Sequence, residues 1–282
     1  MRPVLTAALA ALPGLALAQA PATTPAEGPN LGAMKPQKQA VQAAPGAAAA
    51  GPRLTAKDGA VVTRDLELGF SVFGMANGSF MYEPSEADKA PYLYPGFGGA
   101  SGGAGLNFVV SYRGIIGLEL GFMFSAERAT GSVADLDFTV GHTAFHLPIL
   151  MRLAVPLEKG VRPFFFVGPD IVFPGDAEVT NMDDRLSMLR VGLAGETPQP
   201  FDPQATADTY LTWAMGVGFE FLMPIEGQDF RIPLTLRANI NPNSEDKAAD
   251  KVADGSTVAR PIYKTEWDIQ AMATLGFGWY FY

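Results

Sequence analysis

The residues able to do acid–base or nucleophilic chemistry are few and scattered. The chain has no cysteine, which excludes thiolate metal sites, cysteine nucleophiles and disulfide staples together. Its two histidines lie close, in His142-Thr143-Ala144-Phe145-His146. His146 is the candidate general base, and such a base needs a serine within hydrogen-bond reach and an acid to orient it. No serine is expected on the same face beside His146, so the sequence predicts a satisfied interior polar group in a protein that is not an enzyme. The run Gly96-Phe97-Gly98-Gly99-Ala100-Ser101-Gly102-Gly103 lacks the Gly-Lys-Ser/Thr ending of a phosphate loop and is expected to be flexible loop. Asp246, Asp250 and Asp254 recur every fourth residue without an EF-hand pattern, which predicts a solvated acidic loop and no metal site. No motif implies a cofactor.

Ten further charged residues stand alone in apolar surroundings: Glu67, Arg113, Glu119, Arg152, Arg162, Asp170, Glu220, Arg231, Arg237 and Asp268. The segments that hold them alternate apolar and polar residues with period two, the signature of strands. In the last one Trp267, Ile269, Ala271, Ala273, Leu275, Phe277, Trp279 and Phe281 are all apolar, with Asp268, Gln270, Met272, Thr274, Gly276, Gly278, Tyr280 and Tyr282 between them. Seven more segments repeat the pattern, opening at Leu66, Leu106, Ile116, Phe145, Val161, Leu211 and Phe230. Strands of roughly 10–13 residues, at about 3.3 Å per residue and tilted about 40°, cover an apolar band near 25 Å. Short connections at Arg113-Gly114-Ile115, 156–160 and 224–229 alternate with long ones at about 77–104, 126–142, 174–208 and 241–264. That order predicts an all-β fold: an eight-stranded antiparallel up-and-down transmembrane β-barrel with turns at one rim and loops at the other.

All ten charges fall on one face of their strands, and the opposite face carries none. A water-soluble barrel would expose the ring of Phe, Trp, Leu and Ile, so the ring is assigned to lipid and the charges to the lumen. An eight-stranded barrel is just wide enough for side chains to fill it. The sequence therefore predicts a lumen polar network of the ten charged residues and His146, joined by Asn107, Asn239 and Gln270. Inward glycines such as Gly69 and Gly218 make room for it.

Ahead of the barrel, Arg2, the apolar stretch Val4–Leu17 and the small residues after it read as a cleaved secretory signal, residues 1–18. Residues 19–64 are rich in Ala, Pro, Thr and Gln with no apolar period, which predicts a disordered periplasmic spacer before the barrel at 65–282. Both barrel termini then lie in the periplasm.

The closing strand Leu275-Gly276-Phe277-Gly278-Trp279-Tyr280-Phe281-Tyr282 resembles the small eight-stranded outer-membrane β-barrel family of the OmpA-barrel and OmpX kind. So does the hairpin from His146-Leu147-Pro148-Ile149-Leu150 through Arg162-Pro163-Phe164 to Gly168, and the resemblance covers about residues 65–282. In that family the aromatic C-terminal strand is the signal read by the barrel-assembly machinery, a role the resemblance implies for Phe277, Trp279, Phe281 and Tyr282. The family usually ends on a lipid-facing Phe, whereas here Phe281 is penultimate and Tyr282 points the other way. Some eight-stranded barrels deacylate or palmitoylate lipid A, but the His-x-Ser pairing of the deacylases is missing.

The chain is 48% hydrophobic with a net charge of −9, which argues against a nucleic-acid partner. The four long connections carry seventeen acids against eight bases. They predict an acidic outer surface that meets lipopolysaccharide phosphates through divalent cations or attracts cationic partners. The expected protein is a structural and surface-interaction component of the Gram-negative outer membrane. A narrow or gated small-solute channel is the alternative, and an outer-membrane lipid-modifying enzyme the second.

Overall fold

Period-two alternation over long segments yields an all-β chain in the computed structural model, which describes residues 54–55, 61–62, 65–85, 93–155, 160–225, 228–244 and 247–281. The signal segment, Asp246 and Tyr282 lie outside the described residues, as does the spacer apart from Leu54–Thr55 and Val61–Val62. Those two pairs form a short antiparallel ladder.

Eight long strands follow: β1 (Leu66–Met81), β2 (Phe97–Tyr112), β3 (Ile116–Val133), β4 (Leu136–Ala154), β5 (Val161–Pro174), β6 (Tyr210–Ile225), β7 (Gln228–Ile240) and β8 (Ile269–Phe281). Each pairs antiparallel with its sequence neighbours, and β8 closes on β1, with Leu68 opposite Phe281 and Phe80 opposite Ile269. Closure gives every strand two partners and removes the open sheet edge. The fold is an eight-stranded antiparallel up-and-down barrel.

The strands run 13 to 19 residues, longer than the 10–13 expected. The largest departure is at 126–142, where the sequence predicts a long loop. Instead β3 continues to Val133, β4 starts at Leu136, and Ala134 and Asp135 form a two-residue hairpin with φ of 52° and 60°. The alternation of burial persists there but its chemical sense inverts. Ala129, Val133, Leu136, Phe138 and Val140 are buried, while Arg128, Thr130, Ser132 and Asp137 are exposed. A search for apolar residues on the outward phase stops where they move to the inward phase. The strict alternation of short and long connections is thereby broken at β3–β4. Phe97–Gly103 is likewise wall and not flexible loop, with Gly102 paired to Ala76 on one side and Ala126 on the other.

At the opposite rim β2 and β3 meet in a tight turn, with Arg113 at φ 53°, Gly114 at φ 64° and the Ile115 N–H donating to Tyr112 O at 3.0 Å. Both central residues in the left-handed region match the hand of the strand twist.

The described parts of the three long connections, 82–85 with 93–96, 175–209, and 241–244 with 247–268, fold over the other rim. Glu178–Thr180 adds to β4, Gln204–Thr206 pairs in parallel with Ile262–Lys264, and a short 3₁₀ turn at Asp184–Met188 is capped by Asp183. Their apolar residues join the upper barrel in one core: Tyr94, Phe97, Phe138, Val140, Leu186, Phe201, Val252, Tyr263 and Trp267 are all buried. Edge-to-face rings tie it together, with Phe97 5.4 Å from Phe138 and 5.2 Å from Tyr263. We refer to this unit as the cap. Trp267, expected on the outward face of the last strand, is fully buried in it because β8 begins only at Ile269.

Candidate functional site

Two surfaces of the barrel hold its chemistry. The outside is apolar around the ring: Leu118, Phe124, Met151, Leu236 and Leu275 are each more than half exposed. Near the turn rim Phe230, Phe277 and Trp279 pack together, with Phe277 and Trp279 edge to face at 5.0 Å, and Phe281 follows them, exposed. So continuous a belt far exceeds the apolar patch of a water-soluble monomer.

The inside is filled by side chains. Near the turn rim Glu67 receives both terminal nitrogens of Arg231, at 2.7 and 2.9 Å, and Arg162 at 3.3 Å. Across the lumen Glu220 contacts Arg152 at 2.5 Å, Arg162 at 3.2 Å and Arg231 at 3.2 Å, and accepts from the Tyr280 phenol at 2.6 Å. These contacts connect β1, β4, β5, β6, β7 and β8, so the ion pairs cross the bore. The Arg152 guanidinium lies 3.7 Å over the Phe164 ring, and Arg231 3.7 Å over Tyr280. Glycine makes this possible: a Cβ on Gly218 would run into the Phe164 ring, and one on Gly69 into the Tyr280 ring. Above this layer Glu119 accepts from Asn107 at 2.7 Å and lies 3.8 Å from Arg152. The space left among Ser71, Asn107, Glu119, Arg152, Thr235 and Tyr280 is about 10 Å³, room for about one water.

A second polar cluster sits higher. Asp170 accepts from Arg237 at 2.6 Å and Asn239 at 2.9 Å, and its carboxylate lies 2.9 Å from His146 Nδ1. His146 Nε2 is 2.8 Å from Glu127 and 3.2 Å from Ser125 Oγ. Glu127 also accepts from Ser125 at 2.8 Å and from the Trp267 indole, and lies 3.2 Å from His142. At the mouth, Asp268 holds Lys251 at 2.7 Å and accepts from Ser244 and the Tyr82 N–H.

Of the expected network, Glu67, Arg152, Arg162, Glu220 and Arg231 thus meet in one cluster, Glu119 lies beside it, and His146, Asp170 and Arg237 meet in another. Asp268 stands apart at the mouth, in the connection before β8. Arg113 is not in the lumen: its place in the tight turn points it outward, where it pairs with exposed Asp65 at 3.2 Å. Glu127, Ser125, Lys251 and Tyr280 complete the clusters. Glu127 was legible in principle, because Glu119, Gly121, Met123, Ser125 and Glu127 share one strand phase, but it fell in the expected loop.

The serine not expected beside His146 is present. Ser125, His146 and Asp170 have the contacts of a nucleophile, base and orienting acid, yet all three are fully buried and His146 Nε2 also faces Glu127. The nitrogen that faces Ser125 therefore also faces the Glu127 carboxylate, which competes with the serine for it. Among the described residues no group of His, Asp and Glu is arranged to hold a metal.

No protein-family model and no curated protein matches the chain. Among solved structures it is similar to the N-terminal β-barrel domain of Pseudomonas aeruginosa OprF, at 11% identity over 76% of this chain and 97% of that one, TM-score 0.32. It is similar to Ail, the attachment invasion locus protein of Yersinia pestis, at 12% identity over 77% and 100%, TM-score 0.34. It is also similar to the outer membrane protein OprG from Pseudomonas aeruginosa, at 11% identity over 76% and 96%, TM-score 0.39. At such identities most side chains differ, and nothing those proteins bind carries over to this one.

Proposed function

We propose that the chain is an integral outer-membrane protein whose filled lumen does not conduct, and whose cap presents an acidic surface to the cell exterior. One observation carries this: charges are inside and crossed by ion pairs, while an unbroken apolar belt faces out. In a bilayer the belt is in its preferred phase, and closure of the ring leaves no open strand edge toward lipid. The cap adds a second barrier, an apolar core over the polar lumen. Such a molecule does no solute transport and no catalysis; it anchors a surface and stiffens the envelope.

The export signal at 1–18 and the spacer at 19–64 belong to the same proposal, with both barrel ends periplasmic. Phe277, Trp279, Phe281 and Tyr282 serve recognition by the assembly machinery. Exposed acids of the cap such as Asp176, Asp184, Glu196 and Asp208 meet lipopolysaccharide phosphates through divalent cations. Planar-bilayer recording of the refolded protein tests the central claim: no stable unitary conductance is expected, and steady single-channel steps would overturn it in favour of a narrow channel.

A further inference from the structure

We propose that His146 is held as an imidazolium, that its proton neutralises the barrel interior, and that through Glu127 it latches the cap onto the lumen. The buried acids are Glu67, Glu119, Glu127, Asp170, Glu220 and Asp268, against the buried bases Arg152, Arg162, Arg231, Arg237 and Lys251. Relative to the ten charges expected there, the lumen loses Arg113 and gains Glu127 and Lys251, which leaves one negative charge too many. Enclosed away from water, that charge needs a partner.

Geometry places the missing positive charge. Asp170 Oδ2 already accepts from Arg237 and Asn239, so it carries no proton, and His146 Nδ1 donates to it at 2.9 Å. On the other side Nε2 lies 2.8 Å from Glu127 Oε1. Two lone pairs cannot meet at that distance, so a proton lies between them. Glu127 accepts from Ser125 and from Trp267, which marks it as the carboxylate and His146 as the donor. Both ring nitrogens therefore carry hydrogen.

The titratable and charged groups around the ring are Glu127 from β3, His142 from β4, Asp170 from β5, Tyr210 from β6 and Arg237 from β7. Among the described residues β1, β2 and β8 bring no charged side chain to it. Glu127 is the junction, since it also holds Trp267 from the cap. Once the His146 proton is lost, as pH rises, Glu127 is left unbalanced beneath the cap and its hold on Trp267 gives way to hydration.

The direct test is ¹⁵N NMR of labelled histidine in the full chain refolded in micelles at neutral pH, with His142→Gln to leave one ring. Imidazolium shifts on both nitrogens are expected, and one unprotonated nitrogen would overturn the proposal. The charge argument is tested by His146→Gln, expected to lower the temperature at which the folded gel form disappears, and by His146→Gln with Glu127→Gln, expected to recover at least half of that loss. If His146→Gln does not fold at all, refolding of the double variant serves instead, and a double variant no better than the single one sinks the idea. In a W213F/W279F background Trp267 emission shifts to the red in His146→Gln; an unshifted spectrum refutes the latch. None of these readings depends on whether the lumen conducts.

Discussion

Below the level of His146 the inward positions include the charged Glu67, Arg152, Arg162, Glu220 and Arg231; above it they include the apolar Ala129, Val133, Phe138, Val140 and Phe97. The outward positions change in the opposite sense, from Leu118, Phe124 and Leu275 to Arg128, Thr130, Ser132 and Asp137. One continuous β3–β4 hairpin passes through both zones. The lesson is that the phase outside sets the chemistry inside. Against hydrocarbon, the apolar residues gain by facing out, and the lumen is free to hold ion pairs that satisfy one another. Against water, the same wall must bury its apolar residues, so the upper barrel and the cap pack like a soluble core.

The hardest blow to this contrast falls on the lower zone. Glu220→Gln removes one partner from Arg152, Arg162 and Arg231 at once, and should cost about 5 kcal/mol, the upper range for breaking a buried ion pair. Urea titration of gel mobility reads it; a change in midpoint too small to resolve would mean the lumen charges are solvated. In the upper zone Phe138→Ala, at a residue with no exposed surface, should cost about 3 kcal/mol of packing locally. Limited proteolysis should then cut the cap connections while the barrel keeps its heat-modifiable mobility. Simultaneous loss of both would show that cap and barrel are one cooperative unit.

A smaller effect separates the zones by pH. Burial raises the phenol of Tyr263 above its ordinary value, and burial, then Asp268 and Tyr263, does the same to Tyr94. Both phenols stay protonated in the closed cap where free tyrosine, above about pH 10, ionises. Opening releases those protons, so cap stability falls as pH rises past that value. Tyrosinate absorbance followed with protease sensitivity should show the two rising together, and Tyr263→Phe should weaken the pH dependence. The smallest effect belongs to the exposed rim: Asp183→Asn breaks a solvated pair with Arg185, and the unfolding midpoint should not move measurably.

Much of the barrel is written in the sequence, because lipid makes the outward face uniform over whole strands. Period two fixed which residues of Leu66–Val72 or Leu211–Phe221 share a face, and lone charges among apolar residues marked the lumen side. The β3–β4 hairpin escaped detection because Ala134-Asp135 carries no Asn-Gly turn signal and because the outside there is water, so the hydrophobic sense of the alternation flips. Arg113 was misplaced because face parity runs on through a tight turn on paper, whereas two left-handed residues swing the side chain out.

The residues alone thus determine the strand number and, where lipid is the surrounding solvent, which residues of a strand share a face and which of the two faces is polar, since these follow from local periodicity. Only the tertiary structure decides which charges meet. Arg231 reaches Glu67 across 164 positions of chain, and Trp267 reaches Glu127 across 140. Such pairings depend on strand stagger around the ring and on how three long connections pack over its mouth. Those are properties of closure, a global constraint that no window of sequence contains.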